Sequence, residues 1–458
     1  MRRGAAIALI VASAARVAVL VWAWGRFPAT ADGHYYDVLA DRLARGLGYT
    51  WAWPDGAVTY AAHYPVGYPA ALSIAYRALG SGAAAAGALN LLLGVAASVA
   101  GWALARDALG PRAALAAALA AALEPALLLY QPAVMTEAVT AHLLLLAAWL
   151  VVATRRRAGR AAWPWLAALG VAIGAATLVR PQSLLFAPLF GAVALSTSAR
   201  ARVLGAALVT AAALVVCAPW TARHCARMGA CALVSVNGGW NLLIGAAPGA
   251  TGHWAPVGVP DECKTVFDEA KKDACFGAAA RRDIARAPLA WLSLAPKKLA
   301  ATFDYAGAAP YYLHASNPGA FSYRAKARAA VVETVFHRAL LVGALWALAR
   351  MAGPRRRARA ALAVVGSACA LAGIVTRDAA GGWIAHLALV PMVALLGRRA
   401  LGAPSLVPLS AAAVGATALV HAVFFGAGRY SLPAFPFIAL LAAGAVSPLA
   451  SSPRGEPT

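Results

Sequence analysis

Apolar stretches of about 17 to 20 residues recur along this chain, each long enough to cross roughly 30 Å of hydrocarbon as a helix. Inside hydrocarbon every backbone N–H and C=O must find a partner within the protein, so stretches of this kind lead to a helical bundle. Composition agrees: the 458 residues are 62% hydrophobic and 12% charged, with a mean hydropathy of +0.69. The bilayer is the solvent for most of the chain, and the expected fold is an all-α integral membrane protein. A net charge of +23 does not point to nucleic acid, because the arginines stand in short clusters between apolar runs. The clusters are Arg2 and Arg3, Arg155 to Arg157 with Arg160, Arg200 and Arg202, Arg355 to Arg357 with Arg359, and Arg398 with Arg399. Each reads as a solvated cytoplasmic loop under the positive-inside rule.

Helices placed between these clusters give about 12 spans, near 6–24, 83–105, 112–129, 136–153, 163–179, 183–197, 203–219, 330–350, 359–376, 382–397, 405–425 and 431–449. The first is an uncleaved helix and not a signal peptide: its apolar run continues through Trp22 and Trp24 and carries Arg16. Both termini, including a tail over 451–458, then lie in the cytoplasm of a bacterium, and the span domain covers 1–450. Two segments remain outside. In 25–82, apolar Tyr35, Tyr36, Leu39 and Leu43 recur against polar Asp37, Asp41, Arg42 and Arg45, the pattern of a surface helix ending near Gly46. The second, 220–328, holds all six lysines and forms a small covering domain. There the polar stretch from Cys263 to Arg286 is helical in character, Pro288 stops it, and "LAWLSLAPKKLAATF" follows as a short interfacial helix.

Four of the six cysteines, Cys225, Cys231, Cys263 and Cys275, fall in this outer segment. An oxidising compartment permits disulfides, and the pairings expected are Cys225 with Cys231 and Cys263 with Cys275, each closing a short loop. No C-x-x-C and no neighbouring His pair offers metal-ligand spacing. His34, His63, His253 and His314 therefore read as polar contacts. The glycine-rich "GAAPGATG" lacks the Gly-Lys-Ser/Thr of a nucleotide loop.

Polar groups at the outer ends of the spans carry the chemical information. Arg180, Arg223, Arg377 and Arg429 all map to outer boundaries, against the retention of arginine inside, and are candidates for an anion site as well as for snorkelling to headgroups. Asp32, in "ADGHYY", reads equally as the cap of the following helix and as a carboxylate at the membrane surface. Glu137, in "VMTEAVTAHLLL", opens a span where the helix dipole favours an acid; it can instead hold an acceptor or a cation. Glu124, before Pro125, is a weaker case of the same kind.

Several pieces together resemble the C-superfamily glycosyltransferases, specifically the bacterial relatives of protein O-mannosyltransferases and of the lipid A aminoarabinose transferase. They are "ADGHYYDVLADRLARGLGY" after the first helix, "YPVGYP" at 64, "MTEAVTAHLLLL" at 135, "GAATLVRPQSLLFAPL" at 174, "PWTARH" at 219, "SVNGGWNLLIGAAPGATGHW" at 235, "APLAWLSLAPKKL" at 287 and "GRYSLPAFPF" at 428. The resemblance implies an inverting transfer of one sugar from a polyprenyl-phosphate carrier to a lipid, glycan or protein hydroxyl, outside the inner membrane. It implies Asp32 as general base, and Arg180, Arg429 and Lys297 or Lys298 on the carrier phosphate, since a hydroxyl needs a positioned base and a departing phosphate needs positive charge. Glu137 matches the family's second outer acid. The family often has another acid directly after the loop aspartate; here Gly33 stands there, which counts against a paired-acid mechanism and against the divalent cation that some relatives use, and His34 or Asp37 are the candidates to compensate. Tyr35, Tyr36, Tyr64, Tyr68 and Asn237 are expected to line the pocket.

The competing class is a transporter or lipid flippase. Transport chemistry gathers ionisable groups near the bilayer midplane, whereas these collect at one boundary, with Arg16 the main exception. Absence of a Trp-Trp-Asp motif, and of a large soluble domain after the last span, sets the expectation of a single-sugar donor rather than an oligosaccharide.

Overall fold

A computed structural model describes residues 2–375, 380–447 and 449. It is a multi-pass helical membrane protein. Among the described residues, seven helices are long and apolar enough to cross a membrane: Arg3–Ala23, Ala83–Leu109, Thr136–Arg155, Gly159–Val179, Ala199–Arg227, Tyr323–Arg350 and Leu406–Val423. Shorter apolar helices, Ala113–Ala122, Pro181–Ala194 and Gly382–Ala394, pack among them. With Arg356–Val375 and Phe435–Ala442 at 359–376 and 431–449, a helix stands at each expected position, but several stop short of membrane thickness. Prolines account for much of this. Pro125 and Pro181 each follow a residue in extended backbone and restart the helix, so the expected spans 112–129 and 183–197 are broken or delayed.

The bundle is held by small residues. Gly191 and Gly205 let the helices Phe186–Ala194 and Ala199–Arg227 touch backbone to backbone, since a Cβ at Gly191 would stand 2.2 Å from the Gly205 carbonyl oxygen. Arg16 is buried and donates to Gln131 Oε1 at 3.1 Å, which gives a charge inside the bundle a polar partner.

Two outer segments cover one end. The first contains the helix Asp32–Ala44, an antiparallel hairpin pairing Thr50 with Tyr60 and Ala52 with Val58, and the helix Gly67–Leu79. The second is built on the helices Gly238–Ala246 and Glu269–Arg286 around Leu243, Phe276 and Ala280. Disulfides join Cys225 to Cys231 and Cys263 to Cys275. Glu269 ties the two segments together, accepting from Trp51 Nε1 at 2.8 Å, Ala62 N at 2.6 Å and His63 N at 2.9 Å. The expected interfacial helix is two helices, Pro288–Ser293 and Ala295–Phe303, because Pro296 starts a new one.

Candidate functional site

A cavity of about 540 Å³ lies where these outer segments meet the bundle. Four charged side chains form one run along its wall. Arg429 Nη1 meets Asp32 Oδ2 at 2.7 Å, Arg429 Nε stands 3.4 Å from Glu137 Oε1, and Arg180 Nη1 lies 2.8 Å from that same oxygen. Each is placed by a local break in structure. Asp32 is the first residue of its helix and follows Ala31, which holds φ 50°. Glu137 opens the span Thr136–Arg155. Arg180 precedes Pro181, which drives it into extended backbone after its span ends. Arg429 sits on a 3-10 stretch, Gly428–Ala434, beyond the span Leu406–Val423.

The Asp32 carboxylate does not cap its own helix; it faces the cavity. Its Oδ1 accepts only a long bond from Tyr64 Oη, at 3.4 Å, and the side chain is 33% exposed. Glu137 is 1% exposed, and its two guanidinium neighbours compensate the burial of its carboxylate. Arg180 is fixed further by Thr136 Oγ1 at 3.1 Å, and with the Gln182 amide oxygen turned toward it, by Gln182 at 3.0 and 3.1 Å. Burial, and then the Asp32 charge, pushes the Tyr64 phenol up, keeping it a neutral donor. Burial pushes the His63 imidazole down despite three nearby acids.

Of the residues singled out in the sequence, the cavity wall includes Asp32, Glu137, Arg180, Arg429, Tyr36, Tyr64 and Asn237. His63, expected only as a polar contact, also lines it, and the other candidates stand elsewhere. Asp37 accepts from Tyr76 Oη on the neighbouring helix. His34 is exposed against the edge of Tyr35, and Tyr35 is stacked outside on Tyr64. Tyr68 is fully buried and donates to Asn90 Oδ1 at 3.1 Å. Lys298 is buried and donates to the Val423 carbonyl at 2.8 Å; burial pushes its ammonium down to about 8. Lys297 is exposed and off the wall. Arg223 is used up on the Ala61 and Tyr49 carbonyls at 3.0 and 2.8 Å. Glu124 is buried inside the bundle, 4.0 Å from His337 Nδ1. Arg377 lies outside the described residues.

Sequence reading passed over Gln182, Trp240, Asn241, Trp254, His421 and Tyr430 on the wall. Gln182 and Tyr430 adjoin arginines that it did single out. His421, stacked on Tyr430 with ring centroids 4.3 Å apart, gave no sign, being one polar residue on an apolar helix. Asp273 holds the start of the helix that carries Trp240, accepting from Gly239 N at 3.1 Å and Trp240 N at 2.8 Å.

These residues do not fit a divalent cation. Asp32 and Glu137 are both engaged by guanidinium groups that would repel one, and among the described residues no third acid, His or Cys completes a ligand set. Nor is there space at Gly33 for the neighbouring acid: a Cβ there would meet Tyr312 Oη at 2.7 Å and the Val134 carbonyl oxygen at 2.8 Å.

Fold and site together define a polytopic helical membrane protein with a charge-lined cavity at one end of its bundle. Residues 63–222 match the family of dolichyl-phosphate-mannose-protein mannosyltransferases, a stretch that contains Tyr64, Glu137, Arg180 and Gln182. The match covers 160 of the 458 residues and agrees with the resemblance to protein O-mannosyltransferases. Among solved structures, the chain is similar to the archaeal oligosaccharyltransferase AglB from Archaeoglobus fulgidus in complex with an inhibitory peptide and a dolichol-phosphate. Identity there is 15%, the TM-score 0.45, and the alignment covers 96% of this chain but 50% of that one. It is also similar to ArnT from Cupriavidus metallidurans bound to undecaprenyl phosphate, at 17% identity and a TM-score of 0.41, covering 97% of this chain and 77% of that one. The chain thus spans half the length of the first of these. No curated protein matches in sequence.

Proposed function

We propose that this protein is a membrane glycosyltransferase that moves a single sugar, with inversion, from a polyprenyl-phosphate carrier to an acceptor hydroxyl on the extracytoplasmic face of a bacterial inner membrane. One observation carries the reading: a partly exposed carboxylate, Asp32, shares a cavity with two guanidinium groups, Arg180 and Arg429, at one end of a spanning bundle. Support comes also from the family match over 63–222 and from the polyprenyl phosphate and dolichol-phosphate bound in similar structures. The arginine clusters at the opposite helix ends favour that orientation.

In this reading the carrier phosphate takes Arg429 away from Asp32. An aspartate relieved of its cation becomes a stronger base, so donor binding itself activates the acceptor side. Asp32 Oδ1 receives the hydroxyl proton, the hydroxyl oxygen bonds to the anomeric carbon, and the bond from that carbon to the phosphate oxygen breaks. The electron pair stays on the phosphate, where Arg180 and Arg429 stabilise it. Glu137 holds both guanidinium groups in register and is a positioning residue. Asn237 and Asn241 offer amides, and Trp240 and Trp254 offer ring faces, to a sugar.

The test is sugar release from polyprenyl-phosphate-linked donors by membranes carrying wild type or Asp32→Asn. Expected is normal abundance of the variant with transfer reduced by roughly a thousandfold, within the range for a lost general base. Normal turnover by the variant would remove Asp32 from the mechanism. Translocation of a lipid-linked sugar without any transfer would replace the reading with the transport class.

A further inference from the structure

A second cavity of about 540 Å³ lies at the other end of the same helices. Thr136 and Glu137 line the first cavity, and Thr154 to Arg157, at the far end of the helix Thr136–Arg155, line the second. The helix Leu406–Val423 likewise offers Val420 to the first and its preceding Ser405 to the second. Twenty residues of helix set the two about 30 Å apart, the thickness of a hydrocarbon core.

The wall of this second cavity is polar and cationic. Arg155, Arg156 and Arg157 face it together with Thr197 and Ser405, against one acid, Asp107. Arg155 Nη1 donates to Ser405 Oγ at 3.1 Å and to the Ala403 carbonyl at 3.2 Å, which fixes it in the wall. Arg156 meets Asp107 at 2.9 Å while remaining 58% exposed, and Arg157 lies 3.9 Å over the Trp165 ring. Trp165 packs edge-on against Trp149, 5.7 Å away, an aromatic pair of the kind that sits at headgroup depth. Among the described residues of the wall, three guanidinium groups face one carboxylate, which concentrates positive charge in a concave, hydroxyl-bearing site. A solvated loop needs no such cavity.

We propose that this cavity is a binding site for a phosphate monoanion or dianion, carried on an anionic lipid headgroup of the leaflet opposite the transfer site. Guanidinium forks match phosphate oxygens in geometry, and the aromatic depth marker places the phosphate where lipids carry theirs. The proposal does not depend on the transferase reading.

The full-length protein in detergent is titrated with phosphatidylglycerol, phosphatidylcholine or inorganic phosphate, and bound lipid is counted by native mass spectrometry. Expected is saturable retention of phosphatidylglycerol over phosphatidylcholine, weakened about tenfold by R156Q/R157Q, the loss of one to two charge-assisted contacts. The control R356Q/R357Q removes equal charge from exposed arginines at the start of another helix, Arg356–Val375, and should shift binding less than about twofold, well under the decade that one such contact is worth. Asp107→Asn, which frees Arg156, should tighten binding about threefold and keeps the test alive should the double variant fail to fold. Equal weakening by the two double variants, or none by either, overturns the site. Saturable binding of inorganic phosphate with no lipid preference overturns the lipid source.

Discussion

The two ends of this bundle use arginine in opposite ways. Where the outer segments cover it, Arg180 and Arg429 are matched one for one by Glu137 and Asp32, and the four alternate in sign along one wall. At the far end Arg156 meets Asp107, while Arg155 and Arg157 lean on backbone carbonyls, a hydroxyl and an indole ring. Alternation gives each group an opposite partner that it can exchange for a ligand of either sign. A surplus can only attract anions. Catalysis needs the first arrangement and holding needs the second, and this difference can be broken experimentally.

The largest effect after loss of the base should come from Arg180 and Arg429. Arg429→Lys keeps the charge but loses the fork that reaches Asp32 and Glu137 together, and transfer should fall roughly a hundredfold, the usual cost of one group that stabilises developing charge. Steady-state rates should show the loss in kcat more than in KM. Were Arg429→Lys to transfer normally, alternation would be mere neutrality and the contrast between the ends would collapse.

Glu137→Gln comes next and separates stability from chemistry. It strips a nearly buried site of the carboxylate that two guanidinium groups share, so a loss of about 3 kcal/mol is expected. Thermal melting in detergent would show it. The double variant Glu137→Gln with Arg180→Gln should recover part of this stability and none of the transfer. If the single variant melts as wild type does, Glu137 does not hold the arginines.

How much of this was legible in sequence follows from what kind of signal each feature leaves. Span positions were legible because twenty apolar residues in a row answer to one physical demand, though Pro125 and Pro181 shortened several helices that hydropathy alone prolongs. Asp32, Glu137, Arg180 and Arg429 were legible as charges at boundaries where charge is out of place. Asp37, read as part of a polar helix face with a compensating role, turns to Tyr76, and Lys298, named with Lys297 from the resemblance, turns inward to the Val423 carbonyl. Side-chain direction around a helix decided these, and a single sequence does not encode it strongly near a membrane surface where both faces are partly apolar. The same holds at the basic end: Arg155 to Arg157 read as a solvated loop but wall a cavity, and Arg359 is buried, donating to the Leu348 carbonyl at 3.1 Å.

Gly33→Asp tests whether the missing neighbouring acid is a matter of space. The added side chain must displace the Val134 backbone or Tyr312, and an overpacking cost of about 2 kcal/mol is expected. Transfer should drop with it, since Tyr312 Oη also receives the Thr30 N–H at 3.3 Å just ahead of Asp32. A variant that is stable, active and newly stimulated by a divalent cation would show that the site can accept the paired-acid chemistry its present residues do not fit.

The smallest expected effects form a matched pair, one at each end. Among the described residues, two non-glycine residues have positive φ: Ala31 at 50°, immediately before Asp32, and Arg355 at 54°, in the loop after the span Tyr323–Arg350. Such backbone costs about 1 kcal/mol for an L-residue, and glycine relieves it while giving back a similar amount in unfolded-chain entropy. Ala31→Gly and Arg355→Gly should therefore each change stability by less than about 1 kcal/mol. They should differ in function: loosening position 31 lets the Asp32 carboxylate wander from Arg429, so transfer is expected to fall about threefold, while Arg355→Gly leaves it unchanged. Equal rates for the two variants would mean that the helix start, and not the strained residue before it, fixes the carboxylate in the cavity.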